Sequence, residues 1–123
     1  MKYLVILLSL ITVALSETNY SAQYTACLDN AMTDSDMSSC TYLENKVQDK
    51  LLNKNYRMAR KLLGKNKRAE LKKVQRTWLK YRDAKCNFYS NLTGGTMDSL
   101  NQSGCLLEIT AERAEELAGF GEL

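Results

Sequence analysis

The residues able to do chemistry in this 123-residue chain are four cysteines and fourteen acids; there is no histidine. Without histidine, the serine and cysteine hydrolase triads and most catalytic zinc sites are ruled out. Cys27, Cys40, Cys86 and Cys105 are separated by gaps of 12, 45 and 18 residues. Zinc sites of the four-thiolate type use close Cys-x₂₋₄-Cys pairs, so this spacing predicts two disulfides, with no metal and no cofactor. Paired cysteines leave no thiolate nucleophile. Two carboxylates about 5 to 9.5 Å apart can hydrolyse a glycosidic bond, and Asp34 with Asp36, or Glu112 with Glu115 or Glu116, are the candidates. Each lies at a helix start or on an exposed face, where acids cap and solvate. The expectation is a protein without catalytic residues, a glycan hydrolase being the least favoured reading.

The disulfide reading agrees with the N-terminus. Met1-Lys2, an apolar block from Tyr3 to Leu15, and Ala14-Leu15-Ser16 before Glu17 have the form of a secretory signal peptide over residues 1–16. The block is about 13 residues long, short of the roughly 20 that a membrane span needs, so no stable membrane insertion is expected after cleavage. The expected location is secreted or periplasmic, an oxidising compartment. Residues 17–123 then form one domain of about 107 residues with a modest core. Its formal charge, 16 basic against 14 acidic side chains, is too near neutral to imply nucleic acid or a polyanionic membrane as partner. The basic run Lys61 to Lys73 falls on a turn, where cations solvate the chain and complement a helix end.

The elements that position these residues read as helices, because apolar residues recur at three- and four-residue steps and proline is absent. A first helix is expected over about Tyr20 to Met32. Thr33 caps a second, ending at Leu63 with Gly64 as its stop. In it Leu43, Val47, Leu51, Met58 and Leu62 form one inward stripe, and Leu52, Tyr56, Ala59 and Leu63 its neighbour. A third helix follows Gly64-Lys65-Asn66 and fades near Asn91 to Gly95. The fourth opens at Thr96 with Ser99 and Gln102 spaced as a capping box, turns Leu106, Ile109, Arg113 and Leu117 inward, and ends at Gly119. The fold class is all-α: a small antiparallel bundle of three to four helices.

The short turn predicts a hairpin of helices two and three, with positions equally far from about residue 65 opposed. Asp49 then faces Arg82, Asn53 lies near Gln75 to Trp78, Tyr56 approaches Gln75, and Cys40 lands near Cys86. Asp49, Asn53, Gln75 and Arg82 occupy places where a plain bundle puts leucine, so they are expected to bond to one another and lock the register.

Four blocks resemble the N-terminal domain family of the lysozyme inhibitor LprI: Cys27 through Cys40 with Ser35-Asp36-Met37 between; Asp49-x-x-Leu52-Asn53-x-x-Tyr56; Leu71-x-x-x-Gln75-x-x-Trp78-x-x-x-Arg82-Asp83-x-x-Cys86; and Gly94-Gly95 followed by Cys105, Thr110, Arg113 and Leu117. They span nearly the whole of residues 17–123. The resemblance implies a helical secreted or periplasmic domain with a protein partner, lysozyme by the family's name, and motif residues that are structural. It favours the local bridges Cys27–Cys40 and Cys86–Cys105; the hairpin geometry leaves Cys40–Cys86 open, and Cys27–Cys86 with Cys40–Cys105 is the third pairing. Lysozymes of the vertebrate C type are basic, so an inhibitor needs an acidic patch. The acids Glu108, Glu112, Glu115 and Glu116, with Glu122, form the one acidic cluster and the candidate contact. The alternative is a structural or stress-related envelope module with another protein partner.

Overall fold

The computed structural model describes residues 18–122; the leader assigned to residues 1–16 lies outside them. Four α-helices follow in order: α1 (Ala22–Asp29), α2 (Asp34–Leu62), α3 (Lys65–Asn87) and α4 (Met97–Ala118). Short 3₁₀ turns follow α3, at Phe88–Asn91, and α4, at Gly119–Glu122. No strand occurs among the described residues.

Each start has a local cause. Ser21 caps α1, its hydroxyl accepting from the Tyr24 amide, so this helix starts later than the periodicity suggests; it also ends earlier, at Asp29. Thr33 and Asp36 form a full capping box at α2. Gly64 proves to be the N-cap of α3 and not the left-handed stop of α2, its φ being −69°. The Ser99–Gln102 box is absent; Thr96 precedes α4 and makes no side-chain cap. Asp98 takes that place from inside the helix, accepting from the Thr93 hydroxyl and the Thr93 and Gly94 amides. Gly94 adopts φ +78°, the left-handed region where a Cβ is strained, which explains the glycine at that point of the motif.

The bundle is not the simple hairpin expected. α4 runs alongside α2 in the same direction, Asn45 reaching Ser103 and Asn55 reaching Ala114, as the most extensive packing among the described residues, and it also lies on α3, while direct α2–α3 contact is slight. The shared core contains Leu52, Ala59, Leu71, Ala114 and Leu117, with Tyr56, Leu63, Trp78 and Phe120 against it. Ala111 and Ala114 leave α4 thin enough on this side to approach α2 closely. Inserting α4 rotates α2, so the stripe containing Leu52, Ala59 and the flanking Tyr56 and Leu63 is the inner one. Leu43, Val47, Leu51, Met58 and Leu62, expected inside as well, face solvent.

The cysteines pair as Cys27–Cys40, joining α1 to α2, and Cys86–Cys105, joining the end of α3 to α4. Cα separations of 5.7 and 5.5 Å suit such bridges. Cys40 and Cys86 are therefore not partners: Cys40 is bridged to α1 and Cys86 to α4, which packs on both α2 and α3.

Candidate functional site

Two buried polar clusters set the orientation of the outer surface. In the first, Arg113 of α4 is only 6% exposed. Its Nε donates to Gln75 Oε1 at 3.1 Å, its Nη1 lies 2.8 Å from Glu116, and its guanidinium sits 5.9 Å from the Trp78 ring centroid. Arg82 covers the same ring at 5.3 Å, so Trp78 contacts two cations at distances where the ring quadrupole attracts them. Burying Arg113 with these partners turns the one cation of α4 inward and leaves that helix's outer face to acids.

The second cluster holds the N-terminal segment. Glu44 and Gln48 of α2 are each 2% exposed. Glu44 accepts from the Ser21 amide at 2.9 Å, the Ser21 hydroxyl, and Gln48 Nε2 at 2.8 Å, while Gln48 also donates to the Asn19 carbonyl. The Asn19 amide in turn donates to Glu115 at 2.9 Å. Thr18–Ser21 is thus bound between α2 and α4. Sequence reasoning passed over Glu44 and Gln48, yet their signal was present: Thr41, Glu44, Gln48, Leu52 and Ala59 recur at helical steps on the buried face.

Of the polar contacts expected to lock a hairpin, Asp49–Arg82 forms at the limit of an ion pair and the others do not form. Asp49 is exposed and reaches Arg82 only at 4.0 Å; Arg82 is bonded more closely to exposed Asp83 at 2.9 Å, with Thr110 at 3.5 Å. Asn53 is exposed and makes no side-chain hydrogen bond to Gln75. Tyr56 packs on the apolar core, and Gln75 serves Arg113. The physical reason is again α4, which occupies the space these pairs would have spanned.

The outer face of α4 carries the acidic cluster. Glu108 and Glu112 are exposed and have no ion pair among the described residues, Glu115 is half-buried on the Asn19 amide, and Glu116 pairs with Arg113. Glu112, Glu115 and Glu116 border a shallow depression with Thr18. They all rise from one helix, and among the described residues no acid faces them from an opposite wall. Glycosidic cleavage needs two carboxylates on either side of the bond.

Beside Glu108, an open groove is bordered by Tyr20, Tyr24, Lys85, Tyr89 and Asn101. Burial, followed by the negative charge of Glu108, the neighbouring Tyr24 and Glu112, raises the Tyr20 phenol above its usual pKa. Tyrosines with one polar end and one apolar body are well suited to protein interfaces.

The charge distribution is far from neutral. Fifteen of the 17 lysines and arginines lie between Lys46 and Lys85, against only Asp49, Glu70 and Asp83. The acids gather on α4 and at the start of α2, so the small net charge conceals a basic arm and an acidic face.

The chain matches the family model described as lysozyme inhibitor LprI over residues 25–117. It is also similar to an uncharacterized protein of Rhizobium meliloti (strain 1021), 35% identical over 101 residues, covering 71% of this chain and 73% of that one. No solved structure matches it.

Proposed function

The chain belongs to the lysozyme inhibitor LprI family, and from that premise we propose that it is a secreted or periplasmic inhibitor. On this reading it blocks a basic lysozyme by binding over its cleft, with the outer face of α4 as the contact. The observation that carries this reading is the inward turn of Arg113, which leaves Glu108 and Glu112 as uncompensated charges beside Tyr20 and Tyr24. Such a face attracts a cationic protein and speeds encounter, whereas the net charge of the whole chain does not. The tyrosines supply apolar area at the centre of the contact, where binding energy concentrates. Inhibition in this mechanism is steric: the glycan strand is excluded from the cleft, no bond is made or broken in the inhibitor, and the effect saturates at stoichiometric ratio. Residues 1–16 act as the secretion signal, and the two bridges form outside the cytoplasm.

The test is titration of lysozyme-driven lysis of peptidoglycan by the oxidised chain beginning at Glu17, beside the double variant Glu108→Lys/Glu112→Lys. The parent should inhibit to stoichiometry. The double reversal should raise the inhibition constant by about tenfold, corresponding to about 1.4 kcal/mol, mainly through slower association at low salt. Inhibition of no lysozyme type would overturn the proposal in favour of an envelope module with another protein partner. Full inhibition by the variant would remove α4 as the contact.

A further inference from the structure

We propose that the outward face of α2 is a contact surface for an anionic phospholipid bilayer, on which the helix lies without crossing it. Five apolar side chains on this face are 37 to 62% exposed: Leu43, Val47, Leu51, Met58 and Leu62. At 1.5 Å per residue they form a line about 28 Å long on a continuous helix of 29 residues. The adjacent face of α2 is packed against α4, so this line is presented as an edge beside that contact.

Cations flank it at the same helical steps. Lys50, Lys54, Arg57 and Lys61 are all exposed and make no ion pair among the described residues. Asp49, the one exposed acid between Leu43 and Leu62, lies beyond the cation band, toward Arg82. At the α2–α3 turn, Arg57, Arg60, Lys61 and Arg68 converge on one cleft, beside the exposed Met58 and Leu62. Apolar line and cation band together match a surface that offers phosphate oxygens above acyl chains. A soluble polyanion would use the cations and leave the five apolar side chains in water. A second copy would cover the apolar line but oppose two bands of like charge. Among the described residues no helix is long and apolar enough to cross a membrane, which agrees with a contact that stays at the interface.

This surface is separate from the outer face of α4, so the two can fail independently. The experiment is sedimentation of the oxidised chain from Glu17, which carries every described helix and both disulfides, with vesicles of phosphatidylcholine alone or mixed with phosphatidylglycerol. Binding should be confined to the phosphatidylglycerol vesicles and should weaken with salt. It should fall about fivefold for each cation removed in Arg57→Gln and Lys61→Gln, and about tenfold in Met58→Ser/Leu62→Ser. These side chains are exposed, so helicity should be unchanged, and lysozyme inhibition provides a second check that each variant is folded. Equal binding to both vesicle types, or no binding to either, overturns the proposal. Retention of binding by Met58→Ser/Leu62→Ser, with equal capture of inorganic polyphosphate, reassigns the surface to soluble polyanions. Self-association in solution that is lost in the same variant, with vesicles left unbound, reassigns it to a second copy.

Discussion

Replacing Glu44 by alanine should destabilise the protein by about 3 kcal/mol, although the residue lies in no catalytic or partner site. The carboxyl is 2% exposed and receives the Ser21 amide, the Ser21 hydroxyl and Gln48 Nε2. A buried donor left without its acceptor costs about 1 to 3 kcal/mol. Water can reach half-buried Ser21 once the segment loosens, and Gln48 keeps the Asn19 carbonyl. The low end of that range therefore applies to each of the three bonds. For a domain of this size the sum corresponds to a fall in Tm of roughly 12 °C. Glu44→Gln retains one acceptor and should cost about 1 kcal/mol. Thermal unfolding followed by circular dichroism measures both, and amide exchange at Ser21 and Tyr24 should accelerate in the alanine variant. A Glu44→Ala midpoint within about 2 °C of the parent would refute the reasoning, because it would mean that the segment gains nothing from these bonds. Loss of the cluster should also free Asn19 from Glu115 and so disturb the α4 face from a distance.

Three further outcomes follow from the same geometry. The Thr93 hydroxyl first, with the Thr93 and Gly94 amides, holds the Asp98 carboxyl below its usual value against the opposing effect of burial; Asp36 is lowered by the Met32 amide and then by Thr33. A depressed folded-state pKa means stability that is complete above about pH 4 and lost as pH falls further, so Asp98→Asn should flatten the acid limb of a stability–pH curve. The bridges close loops with sequence separations of 13 and 19 residues. Replacing either pair by alanine should cost about 3 kcal/mol by chain entropy, read from denaturant midpoints, with the effect larger for Cys86–Cys105. Gln75→Leu strands the Arg113 Nε inside the bundle and should cost about 1.5 to 3 kcal/mol, whereas Asn53→Ala, at an exposed position, should change stability by less than about 0.5 kcal/mol.

Much of this was legible from local rules. Helix class and number follow from short-range periodicity, and the Thr33 cap from two side chains three residues apart, because both depend on neighbours along the chain. The motif residues Gln75, Trp78 and Arg113 could be picked out as polar or aromatic residues on apolar stripes. Their partners could not be, since a stripe shows that a side chain points inward but not which helix it meets.

What the sequence determined by itself is the set of helices, the Thr33 cap of α2, the absence of histidine chemistry, and a family resemblance carried by cysteine, glycine and tryptophan spacings. Tertiary structure alone decided that α4 lies between the long helices instead of beside a closed hairpin. That one placement turned the Leu43–Leu62 stripe outward, buried Glu44 and Arg113, exposed Asn53, and separated a basic arm from an acidic face. The physical reason is that α2 carries two adjacent apolar stripes and can bury only one. The choice fell to the stripe that α4 could approach through Ala111 and Ala114, a contact between residues about 60 apart in the chain that no local period encodes.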